Sequence, residues 1–317
     1  MKISATILAF CLAALPAGAA EADSISARPQ PQADNAQTRP LPEAITAGAV
    51  TLGVNAGLTE ALKHSIHKMR PDHSDDNSFP SRHASWAFAV STAISNQFYG
   101  SEPWVPLVTQ TAASAIGLQR VDGRHHYGSD VAAGAITGIA SAEIGQIVSR
   151  LIFGSQAPHF AAACTMPAAP SISAASELVL PLTGGFDSGW GMNVRGNYPV
   201  NELFAFNAAL GALALPYRDA PEAKPLRAVH LSAGFDGTTA IGASPLALRG
   251  GFSLGIAHRM RRHRGGASWS PRIGAEAELE LRLTRHFGSS LGIEYNVITG
   301  YRALQTLNLS LASRCYF

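Results

Sequence analysis

Beyond residue 175 apolar side chains recur at every second position, and this period constrains the fold more than any other feature of the chain. The clearest case is Pro271 to Thr284. Ile273, Ala275, Ala277, Leu279, Leu281 and Leu283 point one way, and Glu276, Glu278, Glu280 and Arg282 the other. A period of two belongs to a strand with one face in apolar surroundings and the other in polar ones. Further alternating segments lie near 177–182, 190–198, 203–215, 228–235, 245–258, 289–300 and 304–317, which makes eight candidate strands. A soluble sandwich alternates too. Three features favour a membrane-crossing barrel: an even strand number, a last strand ending in Phe317, and lengths near the roughly 9–11 residues that a tilted crossing needs. The Glu/Arg face would then fill a narrow polar interior by pairing charges.

Upstream the text is helical. Candidate helices are Glu43 to Met69, Ala84 to Tyr99, Trp104 to Gln119 and Asp130 to Phe153, with Gly, Pro, Asp and Asn in the gaps. A Pro/Ala/Ser stretch at 156–174 separates the two texts, and a Pro- and Gln-rich leader, 23–42, precedes the first helix. The start of the chain has Lys2, an apolar run from Ile7 to Leu15, and small residues before Glu21, the pattern of a secretory signal peptide. The expected organisation is a signal peptide at 1–20, a flexible leader at 21–43, a helical domain at 44–154, a linker at 155–175 and a barrel at 176–317. The expected fold class is thus α + β multidomain: a helical domain followed by an eight-stranded antiparallel membrane β-barrel. No window shows the uninterrupted apolar run of about 20 residues that marks a spanning helix. A formal net charge of +2 gives nucleic acid no support as a partner. Cys11 would leave with the signal peptide; Cys164 and Cys315 could pair in an oxidising compartment, and nothing catalytic depends on it.

Three short clusters between Lys63 and Asp130 carry the chemistry. They read Lys63-(six residues)-Arg70-Pro71, then Pro80-Ser81-Arg82-His83, then Arg120-(five residues)-His126-(three residues)-Asp130. Fixed cations neutralise phosphoryl oxygens, one histidine attacks phosphorus, another protonates the leaving group, and a carboxylate orients the attacker. Lys63 and Arg70 are expected two turns apart on one helix, which Pro71 ends. Arg120 has the planar fork that suits bidentate phosphate contact. Ser81 and the N–H groups opening the next helix can donate to an anion.

These clusters resemble the three-part signature of the type-2 phosphatidic acid phosphatase superfamily, which also holds bacterial acid phosphatases and vanadium haloperoxidases. The resemblance covers about residues 44–153. It implies that Lys63, Arg70 and Arg120 hold the phosphoryl group, with Ser81 and Arg82 beside them. It further implies that His83 is the general acid and His126 a nucleophile forming a phosphohistidine, with Asp130 holding the other ring nitrogen. The family spacing selects His126 over His125, which is left as a supporting or surface group. Arg82 stands where relatives usually carry Gly, which puts the close backbone approach in doubt. The membrane branch generally has six spanning helices, against four candidates here. No metal or other cofactor is expected, because the cations do the electrostatic work.

The second half resembles small bacterial outer-membrane barrels, whose C-terminal Phe is part of the assembly signal. The two resemblances imply a phosphatase of a phosphate monoester or diphosphate at the periplasmic side of the outer membrane. The expected partners are a lipid phosphate substrate, outer-membrane lipid and, during biogenesis, barrel-assembly machinery. Two rivals stand beside this reading: a vanadium-dependent haloperoxidase, and a non-catalytic envelope barrel with a degenerate helical domain. His64, His67, His73, Asp75 and Asp76 are read as polar surface rather than as metal ligands, and the 259–264 basic run as a solvated or lipopolysaccharide-facing loop.

Overall fold

The computed structural model describes residues 39–155, 168–220, 222–260, 268–300 and 303–317. The signal-peptide, leader and Cys164 expectations lie outside them, as do most of the linker and most of the 259–264 run. Four helices come first, α1 (Leu41–Ser65), α2 (Arg82–Phe98), α3 (Val105–Asp122) and α4 (Gly128–Phe153). Eight strands follow: β1 (Ser171–Pro181), β2 (Gly189–Pro199), β3 (Phe204–Leu215), β4 (Leu226–Ala240), β5 (Leu246–Met260), β6 (Ser268–Arg282), β7 (Phe287–Ile298) and β8 (Leu304–Tyr316). The strands close in sequence order, each antiparallel to its neighbours, and β8 returns to β1. The first strand starts inside the stretch expected to be linker.

The barrel is inside-out relative to a soluble core. In β6, Glu278 and Glu280 are buried in the lumen while Ile273 on the other face is half exposed. Arg314 pairs with Glu278 at 2.9 Å, Arg249 with Glu280 at 3.1 Å, Arg272 with Glu294 at 2.6 Å, and Arg195 with Glu276. Outward, Leu210, Leu231, Phe252, Leu254 and Ile256 form an exposed apolar belt. An exposed surface of this kind fits hydrocarbon and not water.

The helices show the same inversion. The stripe of α1 that faces its neighbours runs Glu43, Ala47, Thr51, Asn55, Thr59, Lys63 at a spacing of four, nearly all polar. Thr59 Oγ1 meets Ser85 Oγ at 2.9 Å, and Ser85 also bonds Asn55. The buried side of α4 is made of small residues, so α2 comes very close: a Cβ on Gly138 would sit 2.3 Å from the Ser85 carbonyl oxygen. Close backbone approach through small residues is how helices associate in lipid. Leu41, Ile45, Ile147, Leu151 and Ile152 point away from the bundle and are exposed. Among the described helices, α4 is the one long and apolar enough to cross a membrane.

The bundle does not hang from one end of the barrel; it lies along the outer wall. Outward-facing Trp190 of β2 is 3% exposed, packs edge-on against Phe88 at 6.1 Å, and donates its indole N–H to the Ser114 carbonyl at 3.2 Å. Gln110 donates to Ser176 of β1 at 2.9 Å. At the N-terminus of α4, the Gly128 N–H donates to the Ser188 carbonyl at 2.8 Å, and a Cβ there would meet the Gly189 carbonyl oxygen at 2.0 Å. Arg227 grips Asp122 with two nitrogens, one of them at 2.6 Å. Ser176, Trp190 and Arg227 face outward by strand alternation, and Ser188 and Gly189 offer backbone carbonyls beside them, so this part of the wall is shaped to receive the helices.

Candidate active site

The three clusters converge on one cavity of about 360 Å³, lined by Lys63, Arg70, Arg82, His83, Arg120 and His126 together with Glu60, His64, Asp75 and Asn77. Four chain ends build it. Lys63 comes from the last turn of α1, His83 from the first turn of α2, Arg120 from the last turn of α3, and His126 from the loop leading into α4. Clustering at element ends lets polar side chains from all four helices meet at one rim.

The first correction concerns Lys63 and Arg70. They were expected on one helix reaching Met69, but α1 ends at Ser65, and Ile66 is extended at φ −128° and ψ 103°. The chain then folds back on itself, with Lys68 N–H bonded to the Asp76 carbonyl at 2.7 Å and Arg70 N–H to the Asp75 carbonyl at 3.0 Å. Pro71 disfavours helical backbone at Arg70 only; the helix ends earlier because the chain after Ser65 gives the Lys68 and Arg70 N–H groups to the returning loop at Asp75 and Asp76. Both cations still reach the cavity. Lys63 Nζ donates to the Asn77 carbonyl at 2.8 Å, and Arg70 Nε to Asp75 at 2.6 Å.

The second correction concerns Asp130, expected to hold the ring of His126. His126 is 1% exposed, and its Nδ1 lies 2.7 Å from the Ser78 carbonyl oxygen. A carbonyl only accepts, so Nδ1 carries the proton and Nε2 keeps its lone pair. Asp130 is fully buried one bond further back. It accepts from the Ser78 hydroxyl at 2.5 Å, from Lys68 Nζ at 2.5 Å and from the Tyr127 N–H at 3.0 Å. It therefore pins both loops that position His126 without touching the ring. The physical reason is the loop 66–80, which inserts Ser78 between the two residues. Ser78 and Lys68 were missed by the sequence reasoning, since nothing in their spacing distinguishes them from other loop residues.

The remaining expectations divide. Arg120 borders the cavity with its Nε buried and unpaired among the described residues. Ser81 is buried but is not part of the cavity lining. Its hydroxyl caps α2 by accepting from Ala84 N–H at 3.4 Å, and its own N–H donates to the Asp130 carbonyl at 3.0 Å. Arg82 lies at the cavity mouth, held by Glu60 at 2.5 Å. His125 stays outside, half exposed and 3.5 Å from Asp72. No group of His, Cys, Asp and Glu among the described residues is arranged to hold a metal ion.

Electrostatically the cavity is a cation surplus. Burial pushes the His126 imidazole down to about 3; the Ser78 contact opposes this, and Arg70, Arg120 and Lys63 add to it. His83 is also held below the ordinary imidazole value, by burial and then by Arg120 and Arg82. At neutral pH His126 is therefore an uncharged base in a site built for an anion.

Comparison with known proteins agrees with this geometry. Residues 4–151 match the family model of the PAP2 superfamily. The N-terminal part of the chain is a PAP2 domain, and the C-terminal part is a closed eight-stranded antiparallel barrel. The lipid A 1-phosphatase of Porphyromonas gingivalis is 35% identical over 109 residues, 34% of this chain and 24% of that protein. The bacitracin transport permease protein BcrC of Bacillus licheniformis is 41% identical over 71 residues, 22% of this chain and 33% of that protein. The chain thus spans well under half the length of either relative. Among solved structures, Neisserial surface protein A aligns with a TM-score of 0.39 at 16% identity, over 47% of this chain and 97% of that one. Ail of Yersinia pestis aligns with a TM-score of 0.35 at 14% identity, over 48% and 100%.

Proposed function

We propose that the protein is a metal-independent lipid phosphatase acting through a phosphohistidine at His126. The carrying observation is the His126–Ser78 contact, which leaves a neutral Nε2 beside Lys63, Arg70 and Arg120. The cations bind the phosphoryl oxygens. Nε2 forms a bond to phosphorus as the ester P–O bond breaks, and protonated His83 delivers its proton to the leaving alkoxide. Water then attacks the phosphohistidine, losing a proton to His83, and the P–N bond breaks to release phosphate. Asp130 acts as a positioning residue through Ser78 and Tyr127. The resemblance to a lipid A phosphatase and the lipid-compatible outer surface support a lipid phosphate as substrate class.

The apolar belt and paired polar lumen support residence in the outer membrane. The periplasmic side was expected from the two resemblances, with the helical domain tethered to the barrel. Packing along the wall instead gives bundle and barrel the same depth. The cavity opens at the rim marked by Ser188 and Arg227, where connections between strands run five to ten residues; at the other rim they run four or five. In membrane barrels the short turns are periplasmic and the longer loops external. That rule supports an outward-facing site with access to lipid phosphates of the outer leaflet.

Phosphate release from a panel of lipid and soluble phosphates, wild type against His126→Ala, tests the chemistry. Unchanged release in the variant sinks the mechanism. Bromide oxidation that depends on added vanadate would favour the haloperoxidase rival. Hydrolysis of a membrane-impermeant phosphate ester by intact cells tests the face; hydrolysis only after lysis restores the periplasmic side.

A further inference from the structure

At the other rim, a second cavity of about 220 Å³ lies between the bundle and the barrel wall. Its two sides differ in chemistry. The wall side is mostly leucine, including Leu281, Leu291 and Leu311 from the outward faces of β6, β7 and β8, with Phe287 and three serines among them. The bundle side carries Arg39 and Arg150 with Tyr99 and Gln146.

The polar half is incompletely satisfied. Gln146 is 4% exposed, yet among the described residues its Oε1 has no hydrogen-bond partner, and Arg39 Nη1 is likewise buried and unpaired among them. A buried polar atom without a partner is costly, so a site that keeps two is suited to a ligand that satisfies them. Neither Arg39 nor Arg150 forms an ion pair among the described residues. The nearby carboxylate, Glu143, accepts instead from Asn96 at 2.9 Å. Glu43 and Glu143 both act on Arg39 without forming an ion pair with it, so two guanidinium groups stand without a direct carboxylate partner among the described residues at the head of an apolar groove.

We infer that this groove binds an anionic phospholipid, its phosphate on Arg39 and Arg150 and an acyl chain along the leucine wall. Guanidinium forks match phosphate oxygens, a lipid amine or hydroxyl on the headgroup can donate to Gln146 Oε1, and the wall is already apolar. The inference rests on the membrane reading of the barrel but not on the phosphatase reading. Arg150 lies twenty residues beyond Asp130 on α4, roughly 30 Å away at about 1.5 Å per residue, so this lipid is not the substrate in the catalytic cavity. It would seal the seam between bundle and wall.

The test uses the full chain in a neutral detergent. Thermal unfolding is followed while dioleoyl phosphatidylglycerol, dioleoyl phosphatidylcholine or inorganic phosphate is added. Phosphatidylglycerol should raise the midpoint in a saturable way, with an apparent affinity at least about 10-fold above that of phosphatidylcholine. The Arg39→Gln/Arg150→Gln variant should lose that preference while keeping wild-type hydrolysis of a soluble phosphate ester. Should that variant fail to fold, Leu311→Trp, which fills the apolar half and leaves both arginines, should abolish the shift by itself. Equal shifts from both lipids would overturn the inference, as would a shift from inorganic phosphate alone or an undiminished preference in either variant. Loss of hydrolysis in His126→Ala leaves this readout unaffected, so the two readings fail separately.

Discussion

The barrel lumen and the catalytic cavity both bury arginines, and they treat them in opposite ways. In the lumen Arg195, Arg249, Arg272 and Arg314 each meet a glutamate. In the cavity Arg70 and Arg82 meet Asp75 and Glu60, but Lys63 meets a carbonyl and Arg120 forms no ion pair among the described residues. Burying a charge is costly unless it is paired, so the lumen set is neutralised and fills space, whereas Lys63 and Arg120 are left without a carboxylate.

The comparison can be broken most directly at the histidines. His126→Ala should lower phosphate release by about 10⁴-fold or more, and His83→Ala by about 10²–10⁴-fold, with far-UV circular dichroism unchanged. A small loss at His126 would mean that the cation surplus serves binding only. The lumen should show the reverse. Arg314→Met leaves Glu278 without its arginine and should cost about 3–5 kcal/mol in denaturant unfolding while kcat survives in the folded fraction. If kcat falls as much as stability, the two regions are coupled and the contrast fails.

A third experiment uses pH. His126 titrates near 3 in the folded protein, against an ordinary value of 6.5. The unfolded chain therefore binds a proton that the native state refuses, and this group's contribution is fully present above pH 6.5. It should be lost at about 1.4 kcal/mol per pH unit as pH falls from 6.5 toward 3. His126→Asn should flatten that slope, measured by denaturant midpoints across the range; an unchanged slope would place the acid sensitivity elsewhere. The smallest effect is expected at Arg82. Its pair with Glu60 is half exposed, so Arg82→Gln should barely alter stability. Removing a cation beside His83 should still raise that imidazole's pKa and move the alkaline limb of kcat/KM upward. A limb that stays put would show that Arg82 points only to solvent.

Much of this contrast was legible beforehand. The Glu/Arg alternation of 271–284 announced a paired lumen, because strand period is a local property. The cations and histidines that line the cavity were legible because the family pattern lies in short segments. Asp130 was misassigned for the opposite reason: whether its carboxylate meets His126 or Ser78 depends on where the loop 66–80 passes, and no local rule states that. Lys68 was invisible on the same account. The error over α1 was smaller, since Pro71 marked the end of a helical text and only residues 66–70 were misread.

By itself the sequence determined the order of helices and strands, the inward and outward faces of the barrel, and the residue types of the site, all of which follow from spacing along the chain. Only the folding in three dimensions decided that the bundle lies along the wall, that Ser78 holds His126, and that the two cavities lie toward opposite ends of the bundle. Those outcomes depend on contacts between residues far apart in the chain, such as Trp190 with Ser114 and Gly128 with Gly189, whose small size or single polar atom has meaning only when the partner arrives.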